Sequence, residues 1–242
     1  VTLEPRFRVI GVEPWSDEPG FADAAGAVGV TGICGSGIIE VIAEMFLAGI
    51  ISEDGVINGT LGARSPRIVA NGRTFSYVVK DGTPAIAVTQ NDVRAIQLAK
   101  AALYAGVKLL MQKQGVAAVD KIRLAGAFGS FIDPRYAMVL GLIPDCSLSE
   151  VSAAGNAAGE GALMALLNRD YRREIETEVS RIEKIETALE PDFQALFVNA
   201  MALPNKADPF PNLAREVRLP ERTAAGDGEP ASGGRRGRRA RV

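Results

Sequence analysis

The sequence has no histidine, only two cysteines, and no apolar run long enough to cross a bilayer. Each absence removes a class of function. Without histidine there is no Ser-His-Asp or Cys-His relay and no His-ligated zinc or haem. Cys34 and Cys146 cannot supply the four ligands of an iron–sulfur cluster, nor make a disulfide scaffold. One Cys34–Cys146 bridge is open to the sequence, but two free thiols in a reducing, cytoplasmic compartment are the better reading. Glu4, Arg6 and Arg8 interrupt the start too early for a signal peptide. The chain opens on Val1 rather than Met, which points to a fragment.

What is present is ordinary for a globular protein. The 242 residues are 47% hydrophobic and 23% charged, enough for one large domain or two small ones. The composition changes near Pro204. Residues 205–242 hold nine basic and five acidic side chains, gather Pro209, Pro211, Pro220 and Pro230, and end in an Arg-rich cluster. Such a stretch reads as a disordered tail, because it buries too little to offset its ordering entropy. Its Arg cluster can meet nucleic acid or an acidic partner, but a solvated end is the simpler reading, and no nucleic acid is expected.

Residues 1–204 alternate strand and helix signals, which argues an α/β fold. Phe7–Gly11 reads as a strand and 12–31 as mostly loop. Gly37–Leu47 reads as a helix with Gly49 as its cap. Arg67–Ala70 and Thr74–Val79 read as a hairpin about Asn71-Gly72, and Ala85–Val88 as a strand. Thr89 and Asp92 form a capping box for a long helix to Gly115, with a buried stripe of Val93, Ile96, Leu103, Val107, Leu110 and Met111. Lys121–Ala125 is a strand and Pro134–Leu140 a short helix. Val151–Ala154 is a strand, followed by a helix from cap Asn156 through Leu167. Arg173–Ile185 and Asp192–Met201 are further helices.

Chemistry is best sought at three glycine-bearing junctions. Gly32-Ile33-Cys34-Gly35-Ser36-Gly37 runs into an apolar helix, where unpaired backbone N–H groups can meet a phosphate. Ser36 can cap that helix or donate to a phosphate oxygen. The loop lacks the Lys of a phosphate-binding Walker motif, and a plain tight turn explains it equally well. Gly126-Ala127-Phe128-Gly129 follows a strand, where open α/β sheets hold ligands, and lets a flat purine lie on backbone. Asp133 either caps the next helix or takes a ribose hydroxyl. Ala153 to Ala162 is rich in small residues and reads as close packing, with Glu160 complementing the helix dipole. Cys34 at a helix start has a lowered pKa but lacks a base, so a catalytic role is disfavoured. Glu40 and Glu44, one turn apart, read as a solvated or groove-facing pair, and no metal site is indicated.

Together, Gly32–Ile39, Ala99-Lys100-Ala101-Ala102, Leu124–Gly129, Gly141-Leu142-Ile143-Pro144-Asp145 and Gly155-Asn156-Ala157-Ala158 form a recognisable set. Their order resembles the carboxyl-terminal part of the reductive activators of corrinoid proteins, over roughly residues 5–204. The resemblance implies that residues 1–204 are the C-terminal lobe of an actin-like (ribonuclease-H-like) ATPase domain of the ASKHA superfamily (acetate/sugar kinases, heat-shock chaperones, actin). It implies ATP with Mg2+ as cofactor and a corrinoid protein of a methyltransferase system as partner, returned from cobalt(II) to cobalt(I). By the same resemblance Gly126, Ala127 and Gly129 take the adenosine side, and Gly32, Gly35, Ser36 and Gly37 a nucleotide or inter-domain contact. A homodimer is left open.

The departures from that family matter as well. No Asp-x-Gly-Thr phosphate hairpin occurs; Asp81-Gly82-Thr83 lacks the spacing. The family's plant-type [2Fe–2S] ferredoxin domain has no counterpart either. The chain alone is therefore expected neither to hydrolyse ATP nor to pass electrons, and no catalytic base can be named in it. A different superfamily ATPase, a kinase or a radical dehydratase activator, and a non-catalytic docking lobe are the competing readings.

Overall fold

The computed structural model describes residues 2–221. Three strands, β1 (Ile68–Asn71), β2 (Thr74–Lys80) and β3 (Ile86–Thr89), form an antiparallel sheet in that order. The β1–β2 turn closes with Asn71 opposite Thr74, and Gly72 takes φ +61°, as an Asn-Gly turn demands. Before the sheet come α1 (Phe21–Val28) and α2 (Gly35–Leu47). The long helix α3 (Gln90–Lys113) leaves β3 directly, and its capping box is complete: Thr89 Oγ1 accepts from the Asp92 N–H, and Asp92 accepts from the Thr89 N–H.

After α3 the architecture changes. β4 (Ile122–Ala125) and β5 (Val151–Gly155) form a separate parallel pair. Between them lie α4 (Gly126–Phe131) and α5 (Pro134–Leu140), the latter with Pro134 at its first position and Asp133 as its cap. Then follow α6 (Ala157–Leu167), α7 (Arg169–Val179), α8 (Phe193–Asn199) and α9 (Pro211–Glu216). The core joins the buried faces of α2, α5 and the antiparallel sheet: Ile42, Met45, Val88, Met138 and Leu140 are all almost fully enclosed.

Several expectations need correction. Phe7–Gly11 is not a strand. Phe7 exchanges bonds with Ser16 and stacks edge-on against Phe21 at 5.6 Å, and it pairs with no strand among the described residues. Residues 12–31 are mostly loop as expected, but one short helix, α1, forms within them between Gly20 and Gly29, both at positive φ. The predicted α3 stripe holds at Val93 and Met111 but fails at Leu103 and Leu110, which are half exposed, whereas Gln97, Lys100 and Tyr104 are buried. The 173–185 helix begins at Arg169 and stops at Val179.

The tail boundary moves too. Residues 205–217 are part of the packed structure, with Asn205, Phe210, Leu213 and Val217 buried and α9 formed from Pro211. The reason is long-range. The Asp145 carboxylate accepts from Asn212 N (3.0 Å), Asn212 Nδ2 (2.8 Å) and Leu213 N (3.0 Å), holding the start of α9. Gly141, at φ +70°, lets the Pro204 carbonyl approach so closely that any Cβ there would collide with it. The Arg-rich cluster lies outside the described residues.

Candidate functional site

The N-terminus of α2 is built around Cys34. Its backbone is extended and its Sγ accepts from the Gly37 N–H at 3.3 Å, so sulfur occupies the capping place that Ser36 was a candidate for. The helix accordingly begins at Gly35, two residues before the sequence pattern placed it. The Ser36 hydroxyl lies 3.5 Å from Cys34 Sγ. That hydroxyl, and then the Gly37 N–H, hold the exposed Cys34 thiol below its ordinary pKa. Gly32 stands in open space just ahead of the cap.

The second junction packs onto the first. At Gly35 a Cβ would lie 2.9 Å from the Phe128 ring, so the α4 side chain lies over the start of α2. Gly126 turns the chain from β4 into α4 at φ +90°, with nothing within 4 Å of its would-be Cβ. Ser130 Oγ donates to the Gly126 carbonyl at 2.9 Å and braces this turn. Gly129 differs: a Cβ there would fall 3.0 Å from the Leu124 carbonyl carbon, so its smallness is used to press α4 against β4. Ala127 is exposed. The third junction belongs to the same neighbourhood, because α4 also packs along β5, whose last residue Gly155 leads into α6. Asn156 Oδ1 caps α6 by accepting from the Gly159 N–H at 3.0 Å.

The structure thus brings the three glycine junctions together around α4. At Gly32 and Gly126 nothing lies within 4 Å of a would-be Cβ, and Ala127 is exposed. Gly35, Gly37 and Gly129 are taken up by packing against Phe128, Cys34 with Ile33, and Leu124. Asp133 caps α5 through a 2.8 Å bond from Arg135 N.

Two features of this region were not visible in the sequence. Burial, and then repulsion from Asp133, raise the pKa of Glu40. Tyr136 Oη donates to Glu44 Oε1 at 2.6 Å, tying α5 to α2; burial, and then that bond, push the phenol up. Both relations join α2 to α5 across about ninety residues, so no local pattern announces them. Among the described residues no group of three or more Cys, Asp or Glu is placed to hold a metal ion.

A separate groove of about 850 Å³ opens at the other end of α2. Phe46, Ile51, Ile57, Leu203, Pro204 and Phe210 are among the residues that line it. Twelve helical rises of 1.5 Å put it roughly 18 Å from the Cys34 end. It therefore does not belong to the glycine cluster.

Comparison with known proteins bears on this arrangement. The profile of the family described as the C-terminal domain of RACo, the ASKHA domain, matches residues 1–214. The chain belongs to that family. It is also similar to the corrinoid activation enzyme RamQ of Eubacterium limosum, with 38% identity over 184 residues, covering 70% of this chain and 31% of that protein. Among solved structures it resembles a reductive activator for corrinoid, iron-sulfur protein. The identity is 30% and the TM-score 0.65, with 72% of this chain and 28% of that one covered. The chain thus spans under a third of the length of these relatives. The ASKHA-type α/β fold that the family resemblance implied is the fold found.

Proposed function

We propose that this ASKHA chain is the adenosine-side part of an ATP-dependent reductive activator, one that returns cobalt(II) corrinoid methyl-transfer proteins to cobalt(I). The observation that carries the reading is the contact of Phe128 with Gly35, which joins the α2 start to the β4–α4 turn. Two expected nucleotide elements then share one surface at the carboxyl end of a parallel strand pair, the usual ligand position in α/β sheets. The two corrinoid-activating relatives support the choice of substrate.

In this reading the chain's residues bind and orient rather than perform bond chemistry. Gly126 and Ala127 offer an open backbone shelf for a flat base. Gly32 leaves space beside the α2 N-terminus, where the positive end of the helix favours a phosphate. Gly129 holds the shelf against β4. Bound ATP, with Mg2+, would supply the free energy that shifts the lobes between states of different affinity for the corrinoid protein. The phosphate hairpins, and a [2Fe–2S] electron donor, would come from polypeptide outside these residues. A cytoplasmic setting accords with the two free thiols.

The test uses a full-length activator containing this chain. Gly32→Val and Ala127→Glu fill open, exposed positions and should leave folding intact. Both should weaken ATP binding at least tenfold in calorimetry, and slow ATP-dependent formation of cobalt(I), followed by its visible absorbance. ATP affinity unchanged in both variants would overturn the assignment.

A further inference from the structure

The groove at the far end of α2 has a lining that the proposed nucleotide site does not use. Two stretches build it, 46–59 and 203–221, joined where Leu203 N donates to the Glu53 carbonyl at 2.8 Å. Its surface is largely apolar and rich in proline, with Pro204, Pro209, Pro211 and Pro220 all in the lining. Val56 is 53% exposed there, and Ala207 and Ala214 are open to solvent. The charged residues of the lining are all acidic: Glu53, Asp208 and Glu221. Asp208 accepts from Tyr104 Oη at 2.8 Å and lies 3.3 Å from Lys108 Nζ, so one cation offsets part of that charge. The last described residues, Leu219, Pro220 and Glu221, belong to the lining, so residue 222 starts at the groove itself. Residues 222–242 carry six arginines against Asp227 and Glu229, a net charge of +4.

We infer that this acidic, proline-lined groove is the seat of the chain's own residues 222–242, held there by their arginines. Arginine suits such a surface. Its aliphatic stem lies along apolar side chains while its planar head pairs with carboxylates. The segment is tethered at the groove, so its effective concentration there is high and weak individual pairs suffice. Its 21 residues reach about 70 Å when extended, ample to turn back over a groove of this size. An anionic occupant would instead meet carboxylates of like charge. The inference does not rest on the nucleotide reading, since the groove lies roughly 18 Å from the Cys34 end of α2.

The test uses a full-length activator containing this chain, intact and truncated after Glu221, followed by amide exchange. Truncation should speed exchange across 51–59 and 203–211 roughly fivefold and leave 97–111 unchanged. The fourfold change Arg235→Glu/Arg236→Glu/Arg238→Glu/Arg239→Glu, which lies outside the described residues, should do the same. A synthetic peptide of residues 222–242 should bind the truncated protein one-to-one and restore the protection. Raising salt from about 50 to about 300 mM should weaken that binding roughly tenfold, since surface ion pairs are screened. Val56→Arg/Ala214→Arg places two cations on exposed lining positions and should abolish peptide binding. Val69→Arg, exposed on β1, should not. Exchange unaffected by truncation, or peptide binding indifferent to salt or to the lining variant, overturns the inference. So does protection that appears only in a dimer, because the segment would then occupy the groove of a second copy. ATP binding is measured separately: its loss in Gly32→Val with groove protection intact would leave the two readings independent.

Discussion

Lys100 offers the sharpest test of the packing described above. Its side chain is fully buried, and its ammonium donates to the carbonyls of Ala202 and of Pro204 (2.7 Å). Burial pushes its pKa down from 10.5 to about 7. Between those values the unfolded chain holds a proton that the folded chain lacks. Stability should therefore rise with pH from about 7 toward 10, at up to about 1.4 kcal/mol per pH unit. Because the two carbonyls favour the ammonium and work against desolvation, a total on the order of 3 kcal/mol is expected across the window. Lys100→Met keeps the stem but removes the donor, leaving two enclosed carbonyls unpaired at roughly 1–3 kcal/mol each. At pH 9 the variant should be less stable by about 2–5 kcal/mol. At pH 6.5 the gap should narrow, since the wild type then bears the cost of a buried charge that methionine does not. Urea unfolding followed by circular dichroism from pH 6.5 to 9.5, for both proteins, measures this. A gap that stays constant, or widens toward acid, would refute the argument.

Two further outcomes are expected. Asp145→Ala removes three bonds at the start of α9 and should cost about 2–4 kcal/mol in denaturant unfolding. Amide exchange over 205–217 should speed up in that variant, and an unchanged exchange pattern would show that α9 is held by other means. The exposed Cys34 thiol, lowered by Ser36 and Gly37, should react with an aromatic disulfide at pH 7 roughly tenfold or more faster than buried Cys146, whose pKa burial raises. Equal rates, or the reverse order, would contradict the capping geometry.

The elements legible in the sequence are those set by neighbours a few residues apart. The Asn71-Gly72 turn, the Thr89–Asp92 box, Asp133-Pro134 opening α5 and Asn156 opening α6 each depend on atoms within one turn of chain. The glycine motifs likewise announced where backbone would be exposed or tightly turned. They could not announce which glycines meet a ligand and which meet Leu124 or Phe128, because that depends on what packs opposite.

The sequence by itself therefore determined the α/β class, the turns and caps, and the absence of histidine chemistry. Tertiary structure decided the rest. Phe7–Val9 has strand-like residues but no ladder to join. Lys100 is buried because carbonyls 102 and 104 positions away accept its ammonium. Residues 205–217 looked like the start of a tail by composition, yet Asp145 and Gly141 hold them in the core. The three glycine junctions are separate in the chain and meet only because α4 lies between β5 and the start of α2. Local pattern fixes an element's kind through short-range sterics and hydrogen bonds, whereas burial is a property of whatever distant surface the fold brings against it.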